Sequence, residues 1–127
     1  MARTNTETYI VNERTAAQYT ATIKDQTGTA IPAASMTALT LTLEDVGSGT
    51  ILNSRTAQNI LNANNVTVSA GGVMVWTMQP ADNAIVSTTA AHGSTETHRA
   101  TFKVSYGSGL TAYIVRDFRV VALDRAS

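Results

Sequence analysis

His98-Arg99-Ala100-Thr101-Phe102-Lys103-Val104-Ser105-Tyr106 is followed by Gly107-Ser108-Gly109 and then by Leu110-Thr111-Ala112-Tyr113-Ile114-Val115. This stretch decides the fold. Up to Tyr106, every second residue is apolar, aromatic or the imidazole of His98, and the residues between are polar or charged. A period of two is the period of a strand with one buried face. The glycine-flanked serine reverses the chain, so the stretch reads as a hairpin. The returning strand runs to Ala122. Leu110, Ala112 and Ile114 share a parity with Phe118 and Val120, whereas Tyr113 and Val115 have the other. Either a bulge near Arg116 resets the buried face, or both faces are covered, the outer one by a partner.

The same period recurs upstream. Ala17, Tyr19, Ala21 and Ile23 alternate with polar residues and end at the turn Asp25-Gln26-Thr27-Gly28. Leu39, Leu41 and Leu43 alternate with Thr40, Thr42 and Glu44, and Val46-Gly47-Ser48-Gly49 turns the chain toward Ile51-Leu52. Residues 53–65 are rich in Asn and read as an irregular connection, with a short strand or helical turn near Ile60-Leu61. Val66 and Val68 lead through Ala70-Gly71-Gly72 into Val73-Met74-Val75-Trp76-Thr77-Met78. Pro80 ends that strand, because proline cannot donate to a ladder, and Pro80-Ala81-Asp82-Asn83-Ala84 suits one helical turn. Residues 87–95 read as a polar, exposed loop containing His92.

Composition agrees with an all-β chain. Among 127 residues, Thr (21) and Ala (19) lead, and the branched β-carbon of Thr suits a pleated surface. The pattern predicts an all-β, immunoglobulin-like two-sheet sandwich of about seven to eight antiparallel strands. Its size fits a single sandwich domain over residues 16–127. Residues 1–15 are read as an N-terminal arm or edge strand, with apolar Tyr9-Ile10-Val11 between Glu7 and Glu13-Arg14, and residues 3–14 as an arm that orders on assembly.

Nine basic and nine acidic residues cancel, and only 14% of the chain is charged. That balance argues against nucleic acid and anionic membrane as partners, since both are bound through an excess of positive charge. Low charge also suits a surface covered by other protein. There are no cysteines, which excludes disulfides and thiolate metal sites. The N-terminal residues contain no apolar signal-like run and no stretch is long enough for a membrane helix. The chain is expected to be a soluble product of the cytoplasm.

A search for chemistry yields no catalytic residue, metal site or cofactor site. His98 alternates with strand residues and is expected to be packed, and two histidines fall short of the three or four ligands that zinc takes. No window holds the acids of a calcium loop. Gly47-Ser48-Gly49 and Gly107-Ser108-Gly109 lack the spacing of a nucleophile elbow. Trp76, the only tryptophan, is read as a core anchor rather than a sugar platform. Arg116 and Arg119 are expected to bracket Asp117 as an interface pair.

Asp25-Gln26-Thr27-Gly28-Thr29-Ala30-Ile31-Pro32, then Leu39-Thr40-Leu41-Thr42-Leu43, Ala70-Gly71-Gly72-Val73-Met74-Val75, Gln79-Pro80-Ala81-Asp82 and Arg99-Ala100-Thr101-Phe102-Lys103-Val104-Ser105-Tyr106 form an order of segments. It resembles the N-terminal immunoglobulin-like domain of tailed-bacteriophage baseplate upper proteins, over residues 17–122. The resemblance implies a virion docking unit. Without a coiled coil or receptor-binding portion, this chain is expected to act as a neck, tail-completion, adaptor or decoration protein. The expected partners are copies of itself and other virion proteins (portal, tail or capsid), and the expected location is the virion after synthesis in the host cytoplasm. Candidate assembly contacts are Arg3, Tyr9, Ile10, Val11, Arg14, Tyr113, Arg116 and Arg119. A carbohydrate-binding module with Trp76, Tyr106 or Tyr113 as platform is the alternative.

Overall fold

The computed structural model describes residues 9–86 and 93–123. In chain order the strands are β1 (Tyr9–Asn12), β2 (Gln18–Thr22), β3 (Met36–Asp45), β4 (Gln58–Asn59), β5 (Val66–Val68), β6 (Val73–Thr77), β7 (Thr95–Tyr106) and β8 (Leu110–Val121). They form a five-stranded sheet in the order β1-β8-β7-β3-β4 and a three-stranded sheet in the order β2-β6-β5. Single turns of 3-10 helix occupy Ala33–Ser35 and Pro80–Asn83, the second where the proline predicts it.

Alternation becomes burial directly. Leu39, Leu41 and Leu43 on β3 pair with Val104, Phe102 and Ala100 on β7, and all six are buried. Met74 and Trp76 on β6 face them from the smaller sheet. The Trp76 ring meets Phe102 edge-on at 5.7 Å and Phe118 at 6.2 Å, while Tyr19 of β2 stacks on Phe102 at 5.9 Å. These contacts join the two sheets through one apolar core, the arrangement that a two-layer β architecture requires. Trp76 is thus the core anchor, and its burial removes it as a sugar platform.

Not every pairing is antiparallel. β1 runs parallel to β8, with Tyr9 opposite Phe118 and Val11 opposite Val120. A parallel pair needs a long crossover, and here the rest of the sandwich lies between the two strands. Val11 is buried and Glu13 donates its N–H to Val121 at 2.8 Å. Residues 9–12 are therefore an edge strand of the larger sheet, and residues 1–8 lie outside the described residues.

The Asn-rich connection has a conformational reason. Asn53, Ser54, Ala57, Asn62, Asn64 and Asn65 all have positive φ, which asparagine tolerates better than most residues. This loop is pinned from inside. Arg55 is 1% exposed and its Nε and Nη2 reach the Oδ1 and Oδ2 of fully buried Asp82, at 2.5 and 3.1 Å. Asp82 also accepts Asn53 Nδ2 at 2.9 Å and the Gln79 N–H at 2.8 Å. The Arg55 guanidinium lies over Trp76, 5.8 Å from the ring centroid.

Candidate functional site

β8 is the strand that decides where this domain can meet another chain. Its ladder with β7 runs without a register shift from Tyr106 opposite Leu110 to Thr95 opposite Val121. There is no bulge at Arg116, and parity holds throughout. Ala112, Ile114, Arg116, Phe118 and Val120 face the smaller sheet. Thr111, Tyr113, Val115, Asp117 and Arg119 face outward, where Tyr113 is 61% and Val115 57% exposed. Of the two sequence alternatives, the bulge is ruled out, and the outward face of β8 is exposed.

Among the described residues, the other side of β8 is half open. β1 covers only Phe118 to Val121, and among the described residues no strand pairs with residues 110–117 on that side. The backbone direction follows from the hydrogen bonds at the covered end. The Val121 carbonyl accepts from Glu13 on the β1 side, whereas Ala122 bonds to Gly93 and Ser94 on the β7 side, each at 2.8 Å. Successive residues of a strand turn their amide groups to opposite sides. Thr111, Tyr113, Val115 and Asp117 therefore present N–H and C=O to the open edge. Such a row is a ready template for another strand.

The candidate contacts gather around this edge. Ile10, at 57% exposure, projects from β1 on the outward face opposite Arg119. Val11, by contrast, is a core residue, and the backbone of Tyr9 is paired with β8. Arg14 lies just past β1 with φ 57°, its N–H bound to Asn83 O at 2.9 Å. Arg3 lies outside the described residues, as do His92 and most of the polar loop.

Arg116 and Arg119 do not bracket Asp117. They lie on opposite faces of β8, because an odd separation crosses the strand. Asp117 instead pairs sideways with Arg99 of β7, at 2.7 Å from Nε to Oδ1 and 3.0 Å from Nη2 to Oδ2. That fork holds the Asp117 carboxyl below its ordinary range. Arg116 points between the sheets, where its guanidinium lies 5.9 Å from the Tyr19 ring centroid. Its Nε is buried without a hydrogen-bond partner. Burial raises the Tyr19 hydroxyl, with Arg116 acting in the opposite sense.

Beside the open edge lies a shallow cleft of about 300 Å³, lined by Lys24, Asp25, Gln26, Thr111, Ala112 and Tyr113. The Thr27 hydroxyl, and then the Thr29 backbone N–H, hold the Asp25 carboxyl below the usual range.

One cluster offers metal-like donors. His98 Nε2 lies 3.1 Å from Glu96 Oε1 and 3.9 Å from Asp45 Oδ1, and the three donor atoms fall within 4.8 Å of one another. The surrounding bonds give it a structural role. Asp45 Oδ2 accepts the N–H and hydroxyl of Ser48 at 3.0 and 2.7 Å, and Glu96 Oε1 accepts the Val86 N–H at 2.8 Å. His98 Nδ1 is buried with no partner, whereas a metal-bound imidazole ordinarily anchors its second nitrogen. The ring instead packs edge-on against Phe118 at 5.7 Å. The cluster ties the loop after β3 to β7.

No family model, curated protein or solved structure matches this chain.

Proposed function

We propose that this chain is a non-catalytic assembly and docking module of a bacteriophage virion, which joins copies of itself through β8 and seats them on a larger scaffold. The observation that carries this reading is the edge of β8 at residues 110–117, unpaired among the described residues, with apolar side chains on both faces. The edge is also self-complementary. If two copies pair antiparallel about a two-fold axis at Ile114, Tyr113 of each faces Val115 of the other, and Thr111 faces Asp117. Both outward apolar groups are then covered twice by one isologous contact. Zero net charge leaves no long-range repulsion between copies. The virion setting is supported by the resemblance of residues 17–122 to the baseplate-protein domain. The surface also disfavours the carbohydrate reading. Trp76 and Tyr106 are buried, the latter donating its hydroxyl to Gln26 at 3.0 Å, so Tyr113 alone of the three platform candidates is exposed.

The test is sedimentation of the whole chain over a range of concentrations. Association is expected, and Tyr113→Glu should abolish it while leaving the fold intact. A chain that stays monomeric at high concentration refutes the reading.

A further inference from the structure

Arg116 leaves one need unmet on the inner face of β8. Its guanidinium lies against Tyr19, and its Nε is buried with no acceptor among the described residues. Asp25 offers the complementary group at the cleft. Its Oδ1 accepts the Thr27 N–H and hydroxyl and the Thr29 N–H, at 2.9, 2.6 and 3.1 Å. None of these bonds uses Oδ2. Within one chain the two groups do not meet. Asp25 lines the cleft together with Ala112, and Arg116 stands four residues farther along β8, about 13 Å at about 3.3 Å per residue.

We infer that two copies paired through β8 exchange these groups, Arg116 of each entering the cleft of the other and bonding its Asp25. The inference rests on the self-pairing proposed above. With the two-fold axis at Ile114, Ala112 of one copy stands opposite Arg116 of the second. Thr111, Tyr113, Val115 and Asp117 carry the bonding amides, so Ala112 and Arg116 form a pair without hydrogen bonds. In such pairs the Cα atoms approach to about 4.5 Å and the side chains are closest. Both residues lie on the inner face, and the small side chain of Ala112 leaves room for the long one. The incoming guanidinium therefore arrives at the cleft that Ala112 and Asp25 line, where a charge-assisted bond is among the stronger kinds. Lys24 is the other charged group of that lining. It is exposed, and its flexible ammonium can turn to solvent. Gln26 is engaged by the Tyr106 hydroxyl.

The exchange selects both the occupant and its register. An open edge accepts many strands, but a strand that brings no carboxylate to Arg116 leaves its Nε unpaired. Moving the axis to Tyr113 sets Arg116 opposite Leu110, and moving it to Val115 sets Arg116 opposite Ile114. Only the axis at Ile114 carries each guanidinium to an Ala112, and it does so twice in one contact. Charge placement of this kind fixes register and suppresses wrong partners. Asp25 is suited to the part, because the Thr27 hydroxyl and then the Thr29 N–H hold its carboxyl below the usual range, which keeps it charged at neutral pH.

Mixing two charge-reversed variants of the whole chain tests the exchange, with sedimentation equilibrium as the readout. Arg116→Glu alone sets like charges together twice in a homodimer, and so does Asp25→Lys alone. Each should associate at least ~10-fold more weakly than wild type. An equimolar mixture of the two should regain most of the wild-type affinity, because each mixed dimer holds one native pair and one reversed pair. Fluorescence of the buried Trp76 checks that each variant is folded. Asp25→Asn keeps the Oδ1 acceptor and leaves Arg116 in place, so it decides the matter if Arg116→Glu does not fold: added salt should weaken the association of wild type more than that of this variant. Wild-type chains that associate while the mixture stays as weak as its components overturn the inference and leave the self-pairing standing. So does a salt dependence that Asp25→Asn does not change. A wild-type chain that stays monomeric at high concentration removes the self-pairing itself, and the exchange with it.

Discussion

Asp82→Asn is the sharpest test of what holds the irregular half of the sandwich. The substitution keeps the size of the side chain and removes its charge. Arg55 is 1% exposed and would be left with its guanidinium buried and without a counter-ion. Its other bonds, to Gln58 Oε1 at 2.7 Å and to the Asn64 carbonyl at 3.3 and 3.4 Å, involve neutral acceptors. Breaking a buried pair from one side costs about 3–5 kcal/mol. Against a typical domain stability of about 5–15 kcal/mol, that is a large fraction. Urea unfolding followed by fluorescence reads it directly, because the single tryptophan, Trp76, is buried beside Arg55.

A control separates the stranded charge from lost packing. Arg55→Met with Asp82→Leu removes both charges and keeps apolar volume. Such replacements are often neutral or stabilising, so the double variant should recover most of the loss. Two results would refute the reasoning. One is a loss below about 1 kcal/mol for Asp82→Asn, the size of an exposed pair. The other is a double variant as unstable as the single one, which would assign the effect to the hydrogen bonds from Asn53 and the Gln79 N–H rather than to charge.

Two further outcomes are expected. The Arg99–Asp117 pair is more than two-fifths exposed on each side, so Arg99→Ala should cost less than about 1 kcal/mol at pH 7. Because the folded Asp117 carboxyl is held low, the contribution is present above the unfolded carboxylate range and is lost as pH falls through the folded value; urea titrations between pH 2 and 7 should show wild type and variant converging at the acid end. Gly72→Ala should lower the melting temperature far more than Gly28→Ala, although both glycines have positive φ. A Cβ at Gly72 would lie 2.3 Å from the Ile31 carbonyl oxygen, whereas nothing lies within 4 Å at Gly28, so the first adds a backbone clash to a penalty of about 1 kcal/mol that the second carries alone.

Much of the sandwich was legible because alternation is a local signal. Leu39-Thr40-Leu41-Thr42-Leu43 and the run from His98 to Tyr106 carry their burial in their spacing, and both are core strands. Pro80 at its helical turn was readable from turn chemistry. What the sequence hides is partner choice. Arg55 and Asp82 stand far apart in the chain, and each looks like an ordinary polar residue in a loop. Asp117 has Arg116 next to it, yet it pairs with Arg99 across the ladder, since adjacent residues of a strand cannot share a face. The parallel pairing of β1 was equally hidden, because Tyr9-Ile10-Val11 reads the same in either direction.

The candidate site shows the same division. That Tyr113 and Val115 oppose the parity of Phe118 was visible, and with it the choice between a bulge and an apolar outer face. That the side of β8 toward β1 is also open was not, since an edge is a property of strand order. The two observations bear on each other. An outward apolar pair alone is common on a protein surface. An open edge alone is often blunted by charge or a bulge. Here the ladder has no bulge, Arg116 is turned inward, Asp117 is held by Arg99, Lys103 lies across from Tyr113, and the apolar pair sits midway along residues 110–117. A strand with these features is suited to the pairing with a second copy proposed above.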